Sequence, residues 1–432
     1  MGEILFLSHR IPWPPDRGDK IRSHHILRRL ARMAPVHVAT FAEGEEDAAW
    51  EVELAMTARS YCLARRTVSL PMAGLAALAQ GKPISLTAFR HAALSRYVAR
   101  TLADRPISAI YVFSGQMGQY VPPDYAGRVV MDFVDVDSAK FDAYGLEACW
   151  PVSWLHRREG RLLRAEEARL AARAEASVLI SADEATLFAG RLPPAERASA
   201  NVRVLGNGID TELFDPLAVD PEPCIRQAGG PRMIFTGQMD YPPNAAAAIR
   251  AVTRVMPLVR TQLPDATFHV VGRKPTAQVR ALHGVNGCHV WGEVEDVRPW
   301  LRGADMALIP LSLARGVQNK VLEAMAMALP VVATPEAATG IAAVNGRHIA
   351  ITPTDTEIAA AVIRLSQQPE HAQIKGLAAR HFVEDAHNWQ AVLAPLSGMV
   401  MDGPHQGPAE AGRDPGKPDP AADAPPMLRL HG

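Results

Sequence analysis

The sequence lacks the patterns that define several large classes of proteins. Only four cysteines occur among 432 residues, and they are widely scattered at Cys62, Cys149, Cys224 and Cys288. No Cys-x-x-Cys pair or zinc-type spacing is present, so the chain offers no disulfide framework and suits a reducing compartment. The fifteen histidines include no His-Glu-x-x-His pattern, and no Gly-x-Gly-x-x-Gly follows the first predicted strand. A zinc hydrolase and a dinucleotide-dependent oxidoreductase are therefore disfavoured.

The chain also lacks a strong charge bias and long apolar runs. Its 45 basic and 46 acidic residues leave a net charge of −1, which argues against a nucleic-acid partner. The apolar run 70–80 is shorter than the roughly 18 residues that span a bilayer. The sequence opens directly as a strand without a signal-peptide pattern, so we expect a cytoplasmic protein.

Two arginine-rich helices could nevertheless form local basic faces. One contains Arg22, Arg28, Arg29 and Arg32, and the other contains Arg157, Arg158, Arg161 and Arg164. Such a face is either solvated or binds anionic lipid headgroups. A peripheral contact with the inner face of the plasma membrane is therefore one expectation for this chain.

Apolar, β-branched runs alternate with helical stretches along most of the chain. This pattern is typical of buried parallel sheets whose strands are joined by helices. The predicted strands are 4–8, 36–41, 109–113, 128–134 and 177–181 in the first half, and 233–236, 267–271, 289–291, 306–310 and 331–334 in the second. The sequence therefore predicts an α/β protein with two Rossmann-like, doubly wound domains, whose ligands bind at the carboxyl ends of the strands.

The strand pattern restarts after about residue 205, and this restart sets the predicted domain limits. Residues 1–205 are predicted to form the first domain and residues 206–398 the second, joined at the turn signal Asn207-Gly208. Residues 399–432 are rich in Pro, Gly, Ala and Asp, which indicates a disordered tail. An apolar helix beginning at Asn388-Trp389 precedes this tail.

Residues 310–334 carry the most informative pattern. An apolar strand leads into a polar, glycine-containing loop, and a helix is predicted to begin near Gly316 and end before Pro330. The N-terminus of such a helix offers free N–H groups and a positive dipole end to a phosphate. Lys320 and Glu323, three residues apart, share one helix face. The cation suits a phosphate oxygen and the carboxylate suits a ribose diol, so the segment predicts half of a nucleotide-sugar site.

The same segment resembles the donor-site helix of family 4 retaining glycosyltransferases, which have the GT-B architecture. The family pattern has Glu, seven residues, Glu, then Ala-Met-Ala and Pro-Val-Val after a small residue. Glu323 matches the second Glu, whereas Arg315 stands where the family has the first. Residues 315–327 are closer to sugar transferases of exopolysaccharide loci associated with the PEP-CTERM/exosortase system. The resemblance covers roughly residues 3–395. It implies that the terminal helix beginning at Asn388-Trp389 could cross back to the first domain.

On the donor side, the resemblance implies contacts from several loops. A glycine-containing loop with Gly18 and Asp19 would touch the diphosphate from the first domain, with Asp19 also able to cap the following helix. Gly237-Gln238 stands where many relatives have Gly-Arg, so the diphosphate charge must be met elsewhere. The proposed contacts are Arg273, Lys320 and the loop residues Arg315, Gly316 and Val317.

On the acceptor side, a predicted strand ends with the carboxylates Asp132, Asp135 and Asp137. Neighbouring carboxylates can bind a metal or hold one group as a base, because like charges raise a pKa. Asp135 or Asp137 could orient or deprotonate the acceptor hydroxyl, or could be a capping or structural residue. The resembling enzymes generally work without a metal, so neither a metal nor another cofactor is expected.

The expected function is transfer of a sugar from a nucleoside diphosphate sugar to a saccharide or lipid-linked acceptor in exopolysaccharide synthesis. Lys320 would act at the departing diphosphate and Glu323 would hold the ribose. A sugar-nucleotide epimerase is an alternative on the same architecture. A catalytically inactive scaffold is another, because Arg315 replaces the first Glu and the usual cations near residues 238–244 are missing.

Overall fold

The computed structural model describes residues 2–66, 70–314 and 316–401, and it contains two parallel sheets. The seven strands of the first sheet have the order β3-β2-β1-β4-β5-β6-β7, and every described pairing is parallel. These strands are β1 Glu3–Ser8, β2 Val36–Ala42, β3 Ser60–Arg65, β4 Ile107–Phe113, β5 Arg128–Val134, β6 Ala176–Leu179 and β7 Val202–Val204.

The six strands of the second sheet have the order β10-β9-β8-β11-β12-β13, also parallel. They are β8 Arg232–Thr236, β9 Thr267–Val271, β10 Cys288–Gly292, β11 Met306–Ile309, β12 Val331–Ala333 and β13 Ala350–Ile351. In both sheets the first strand of the domain lies beside the fourth. This reversal of strand order is the position at which doubly wound folds bind ligands.

Helices cover the two sheets. In the first domain they are α1 Gly18–Ala31, α2 Glu45–Ala48, α3 Glu51–Thr57, α4 Leu70–Gln80, α5 Ile84–Ala88, α6 Ala92–Asp104, α7 Asp137–Glu147, α8 Val152–Ala171, α9 Ala182–Arg191 and α10 Pro194–Ser199. In the remainder they are α11 Pro223–Arg226, α12 Pro242–Arg250, α13 Met256–Arg260, α14 Ala277–Arg280, α15 Arg298–Gly303, α16 Asn319–Ala326, α17 Asp355–Gln367, α18 Pro369–Ala386, α19 Trp389–Val392 and α20 Leu396–Val400. Short 3₁₀ turns lie at Gly115–Tyr120 and Val285–Gly287, and a π-helical turn at Ala251–Val255 joins α12 to α13.

All ten predicted strands are present, with ends that differ by at most two residues. The prediction missed β3, β7 and β13, which form edges of the two sheets. β7 and β13 have only three and two residues, and β3 is largely half-buried, so their sequences lack the continuous apolar run of a central strand.

The segment after α18 crosses back to the first domain, as the family resemblance implied. Trp389, Leu393, Leu396 and Val400 are buried in a core that also contains Ile4 and Phe6 of β1. Ile209 of the interdomain segment forms a bridge with Asn388, so both chain crossings lie side by side. Although sequence places residues up to 398 with the second domain, residues 389–400 pack on the first. The predicted tail lies mostly outside the described residues.

A buried ion pair joins α1, β5 and the interdomain segment. Arg22 is 1% exposed, and its Nε donates to the Asp132 carboxylate at 3.0 Å. Its Nη1 donates to the Gly206 carbonyl at 2.8 Å and to the Asn207 side chain at 3.2 Å. The Tyr111 hydroxyl donates to Asp132 at 2.8 Å. Arg22 therefore belongs to the interior and is not part of a basic surface.

Replacing Arg22 tests this arrangement. Arg22→Ala should lower the free energy of unfolding by about 3–5 kcal/mol, because it leaves the Asp132 carboxylate buried without its cation. For a domain of this size the melting temperature should fall by more than about 6 °C. The matched control is Arg28→Ala on the exposed face of the same helix, which should change stability by less than about 0.5 kcal/mol. Equal melting temperatures for the two variants in calorimetry would contradict this role.

Candidate active site

A cavity of about 620 Å³ opens at the carboxyl ends of the second sheet and is bordered by the first domain. The second domain contributes the loops after β8, β9 and β10 and the start of α16. The first domain contributes Asp16 from the loop before α1, and the interdomain segment contributes Asn207. The other lining residues are Thr236, Gly237, Gln238, Asn244, Val271, Gly272, Arg273, Glu293, Val294, Val297, Val317, Asn319, Lys320 and Glu323.

Two glycines allow the strand-end loops to touch through their backbones. Gly237 and Gly272 have φ values of +148° and +154°, a region that side-chain-bearing residues rarely adopt. A Cβ atom at Gly272 would lie 1.6 Å from the Gly237 carbonyl oxygen. The Gly272 N–H donates to the Gly292 carbonyl at 2.7 Å, which joins the loop after β9 to the end of β10. The floor of the cavity is therefore closely packed backbone.

The helix at the cavity begins later than the sequence suggested. α16 starts at Asn319, whereas Gly316 has a φ of +64° and lies in the preceding turn. Of the predicted loop contacts, Val317 lines the cavity and Gly316 does not. Among the residues that the structure describes, no side chain caps α16, and the start of a helix offers N–H groups that lack an intrahelical acceptor. Arg315 lies outside the described residues.

Lys320 is held by one polar and one aromatic neighbour. Its Nζ donates to the Asn244 side-chain oxygen and lies 4.9 Å from the centroid of the Phe235 ring. Asn244 is buried, and its side-chain amide donates to the Gln238 carbonyl at 2.9 Å. Burial lowers the pKa of Lys320 to about 8, although the Glu323 carboxylate opposes that shift. The ammonium therefore lies at a fixed position on the cavity wall.

Glu323 lies one helical turn beyond Lys320 and also lines the cavity, as their spacing predicted. Burial raises its pKa to about 7, with Lys320 acting in the opposite direction. Within the described part of the chain, no group donates a hydrogen bond to its carboxylate. The free oxygens can accept hydrogen bonds from a ligand. Val321, Leu322 and Met325, on the rest of the helix, are buried in the core and hold this face toward the cavity.

Gln238 and Arg273 both line the cavity, and an Arg273 nitrogen donates to the Gln238 side-chain oxygen at 3.1 Å. The loop of the first domain differs from expectation, because it reaches the cavity through Asp16 rather than Gly18 or Asp19. Asp19 does not cap α1. Its carboxylate instead pairs with Arg10 and His9, and these hydrogen bonds and charges lower its pKa despite partial burial.

The three acceptor-side carboxylates have separate surroundings. Asp132 is fully buried against Arg22, so it is a structural residue. Asp135 and Asp137 both pair with Lys140, at 2.9 Å and 3.2 Å, beyond the carboxyl end of β5. Neither lines the 620 Å³ cavity. In the described residues, no group of three or more His, Cys, Asp or Glu side chains could hold a metal ion.

Sequence reasoning missed Asp16 and Asn207 as cavity residues, and it treated Asn244 only as the site of a missing cation. Asp16 adjoins the glycine loop and Asn207 belongs to the turn signal, so both lay next to a recognised pattern. Glu293 lies two residues after the predicted strand 289–291, in the loop at its carboxyl end. No sequence signal distinguishes which side chain of such a loop faces a ligand.

Comparisons with known proteins agree with this geometry. Residues 230–368 match the family model described as Glycosyl transferases group 1. The chain is 27% identical over 165 residues to a phosphatidyl-myo-inositol mannosyltransferase of Propionibacterium freudenreichii, covering 38% of this chain and 39% of the relative. It is 26% identical over 211 residues to a glycogen synthase of Mycobacterium tuberculosis, covering 47% of this chain and 49% of the relative. The chain thus aligns with less than half the length of these curated relatives.

Solved structures match over nearly the whole chain. Anabaena HepE, in complex with UDP and glucose, superposes with a TM-score of 0.59 at 15% identity, covering 93% of this chain and 99% of HepE. WaaG, a glycosyltransferase of lipopolysaccharide biosynthesis, gives a TM-score of 0.55 at 16% identity, covering 93% and 100%. Sucrose-phosphate synthase of Thermosynechococcus elongatus gives a TM-score of 0.59 at 15% identity, covering 92% of this chain and 98% of the synthase. The protein therefore has the two-domain GT-B fold, and its second domain matches the Glycosyl transferases group 1 model.

Proposed function

We propose that this protein is a retaining glycosyltransferase that transfers a sugar from a nucleoside diphosphate sugar to a saccharide or lipid-linked acceptor. The observation that carries the proposal is the pairing of Lys320 and Glu323 on one face of α16, in a cavity at the carboxyl ends of β8 and β9. An ammonium and an unpaired carboxylate at a helix N-terminus suit the two ends of a ribose diphosphate.

The reaction breaks the bond between the anomeric carbon and the diphosphate oxygen and forms a bond to the acceptor hydroxyl. Negative charge grows on the departing diphosphate. Lys320, Arg273 and the amides at the start of α16 would stabilise that charge, and such stabilisation of developing charge is a large term in catalysis. Glu323 would accept hydrogen bonds from the ribose diol. The loops after β9 and β10, which include Glu293, would surround the rest of the nucleotide.

The acceptor would approach from the first domain. Asp135 and Asp137 lie on the carboxyl edge of the first sheet and are the candidates to orient the acceptor hydroxyl or accept its proton. Their shared partner Lys140 offsets one of the two negative charges and leaves this cluster with a net charge of about −1. No carboxylate other than Glu323 and Glu293 of the second domain, and Asp16 of the first, lines the donor cavity within the described residues. The proposal assigns Glu323 to the ribose and gives neither Glu293 nor Asp16 a role at the anomeric carbon, so it uses a same-face retaining mechanism without a dedicated nucleophile.

The solved neighbours support a uridine nucleotide as the first donor to test, since HepE structures contain UDP or UDP-glucose. A role in exopolysaccharide synthesis, membership of family 4 and the PEP-CTERM-associated subgroup rest on the sequence resemblance. The mannosyltransferase relative is named for a lipid acceptor, which agrees with a lipid-linked substrate for this protein.

Two assays separate this proposal from an epimerase and from an inactive scaffold. A thermal-shift screen of nucleotide sugars identifies the donor, because a ligand that binds only the folded state raises the melting temperature. Release of the free nucleotide in the presence of a saccharide acceptor then identifies a transferase. Conversion of the sugar without release indicates an epimerase, and binding without turnover indicates a scaffold.

Glu323→Ala should weaken donor binding. The loss of hydrogen bonds from the ribose to a charged group corresponds to a rise in the dissociation constant of about tenfold to a hundredfold. Calorimetric titration with the donor found in the screen measures this change. Glu370→Ala, at an exposed position of α18, is the control and should bind normally. An unchanged donor affinity in Glu323→Ala would contradict the assignment of Glu323 to the ribose.

Lys320→Ala should depress turnover more than donor affinity. Removing one group that stabilises the developing charge is expected to reduce kcat by about 10²–10³-fold. Nucleotide release under donor saturation measures kcat, and titration measures affinity in the same preparation. Wild-type transfer rates in purified Lys320→Ala would refute the catalytic role of this residue.

Donor affinity should depend on pH in a defined window. The Lys320 ammonium, with its pKa lowered to about 8, loses its charge as the pH rises above that value, which weakens diphosphate binding. Glu323, with its pKa raised to about 7, becomes neutral below that value and is then a poorer acceptor for the ribose. Affinity should therefore be greatest between about pH 7 and 8. Glu323→Gln should abolish the acidic decline, and Lys320→Ala the alkaline one. A wild-type affinity that does not change between pH 6 and 9 would contradict both assignments.

A further inference from the structure

Helix α4 of the first domain exposes its large apolar side chains to solvent and buries its small ones. It buries the small residues Ala73 and Ala77, whereas Met72 and Leu75 are 65% and 72% exposed. Leu78 on the next turn is also exposed, and no charged residue occurs between Leu70 and Gln80. A helix packed on a globular core normally shows the opposite arrangement. The outward face of α4 is therefore suited to an apolar partner.

A second apolar surface lies at the turn between α7 and α8. Trp150 is 82% exposed, and Leu146 and Trp154 beside it are exposed as well. Single exposed apolar residues are ordinary on protein surfaces, but three large ones between residues 146 and 154 indicate a binding surface. Tryptophan in particular combines an apolar ring with an N–H donor and is enriched at the level of lipid headgroups.

The two surfaces are adjacent, because hydrogen bonds join α8 to α4 and to α5. Arg158 of α8 donates to the Ala77 and Lys82 carbonyls at the end of α4, both at 3.1 Å. Glu159 is buried and accepts hydrogen bonds from the Ile84 and Ser85 N–H groups, both at 2.8 Å. Trp154 lies one helical turn before Arg158 on α8. The outward faces of α4 and of the start of α8 therefore belong to one surface.

Arginines continue this surface along α8. Arg157, Arg161 and Arg164 are exposed and lie within one face of the helix that also includes Trp154. Of the two glutamates between residues 144 and 164, Glu159 is buried, which leaves Glu147 as the exposed acid. Exposed tryptophan and leucine followed by an excess of arginine match the chemistry of a lipid surface with anionic headgroups.

The position of this surface relates it to the acceptor side. α7 begins at Asp137, just beyond the carboxyl end of β5, and its 11 residues extend about 16 Å to the exposed turn. α8 returns over about 30 Å from that turn toward the start of β6. Because α8 is longer than α7, the turn that joins them lies beyond the carboxyl edge of the sheet. The apolar turn thus lies on the same edge as Asp135 and Asp137.

We infer that α4 and the α7–α8 turn form a membrane-docking surface that inserts Met72, Leu75, Leu78, Leu146, Trp150 and Trp154 among the headgroups of an anionic bilayer, while the arginines of α8 contact the phosphates. None of the described helices is long and apolar enough to cross a bilayer, so the contact is made from the surface. The inference extends the proposed function, since a lipid-linked acceptor would be presented at this edge, but it rests on its own observations.

Vesicle co-sedimentation tests the inference with the full chain. The protein should sediment with vesicles of mixed phosphatidylglycerol and phosphatidylcholine, and less with phosphatidylcholine alone. The pair Met72→Ser and Leu75→Ser, and separately the pair Trp150→Ser and Trp154→Ser, should weaken binding at least tenfold, because burial of these side chains drives insertion. Arg157→Glu with Arg161→Glu should remove the preference for the anionic lipid.

Leu217→Ser is the matched control, because Leu217 is an exposed leucine at the start of the second domain. It should bind vesicles like the wild type. The rise in melting temperature caused by the identified nucleotide sugar shows that each variant is folded. This rise should be the same in every variant as in the wild type. A wild-type protein that stays in the supernatant, or serine variants that bind normally, would overturn the inference. Self-association through this surface, seen by light scattering without vesicle binding, would also overturn it. A failed donor screen with intact vesicle binding would instead refute only the proposed function.

Discussion

The buried Arg22–Asp132 ion pair is the interaction on which the arrangement of the two domains depends. Removing a guanidinium and a carboxylate from water is costly unless each finds a partner and further hydrogen bonds. Arg22 meets this condition by contacting Asp132 of β5 and also the Gly206 carbonyl and Asn207 side chain. The first helix, the centre of the first sheet and the interdomain segment are thereby held together. Asn207, which this pair positions, is also part of the cavity wall.

The crossing of the chain back onto the first domain complements this pair. Trp389 and Leu396 complete a core on one face of the first sheet, next to the bridge between Ile209 and Asn388. The two domains are therefore joined by two adjacent segments rather than by a single linker. Such a connection allows the cavity between the domains to be shaped by both, with Asp16 and Asn207 on one side and α16 on the other.

The donor half of the cavity concentrates its chemistry on one short helix. A Cβ atom at Gly237 would lie 2.9 Å from the Asn244 amide nitrogen and 3.2 Å from the Lys320 Nζ, so this glycine leaves room for the contact between the two side chains. Burial then shifts the pKa values of Lys320 and Glu323 toward neutrality in opposite directions. Groups with such shifts are common at functional sites, because their charge responds to the ligand. On the first domain, the exposed apolar α7–α8 turn lies at the carboxyl edge that carries Asp135 and Asp137, and hydrogen bonds from Arg158 connect α8 to the end of α4.

The sequence by itself determined the alternation of parallel strands and helices, the restart of the pattern after residue 205, and the pairing of Lys320 with Glu323. These features follow from local periodicity and spacing, since a separation of three residues places two side chains on one helix face. Only the tertiary structure decided that Asp132 is the partner of Arg22, that Asp19 joins an ion-pair network instead of capping α1, and that α4 turns its leucines outward. Arg22 and Asp132 are 110 residues apart, and the partners of Asp19 belong to the preceding loop rather than to its own helix. Local sequence patterns carry no information about which group outside the element will lie opposite.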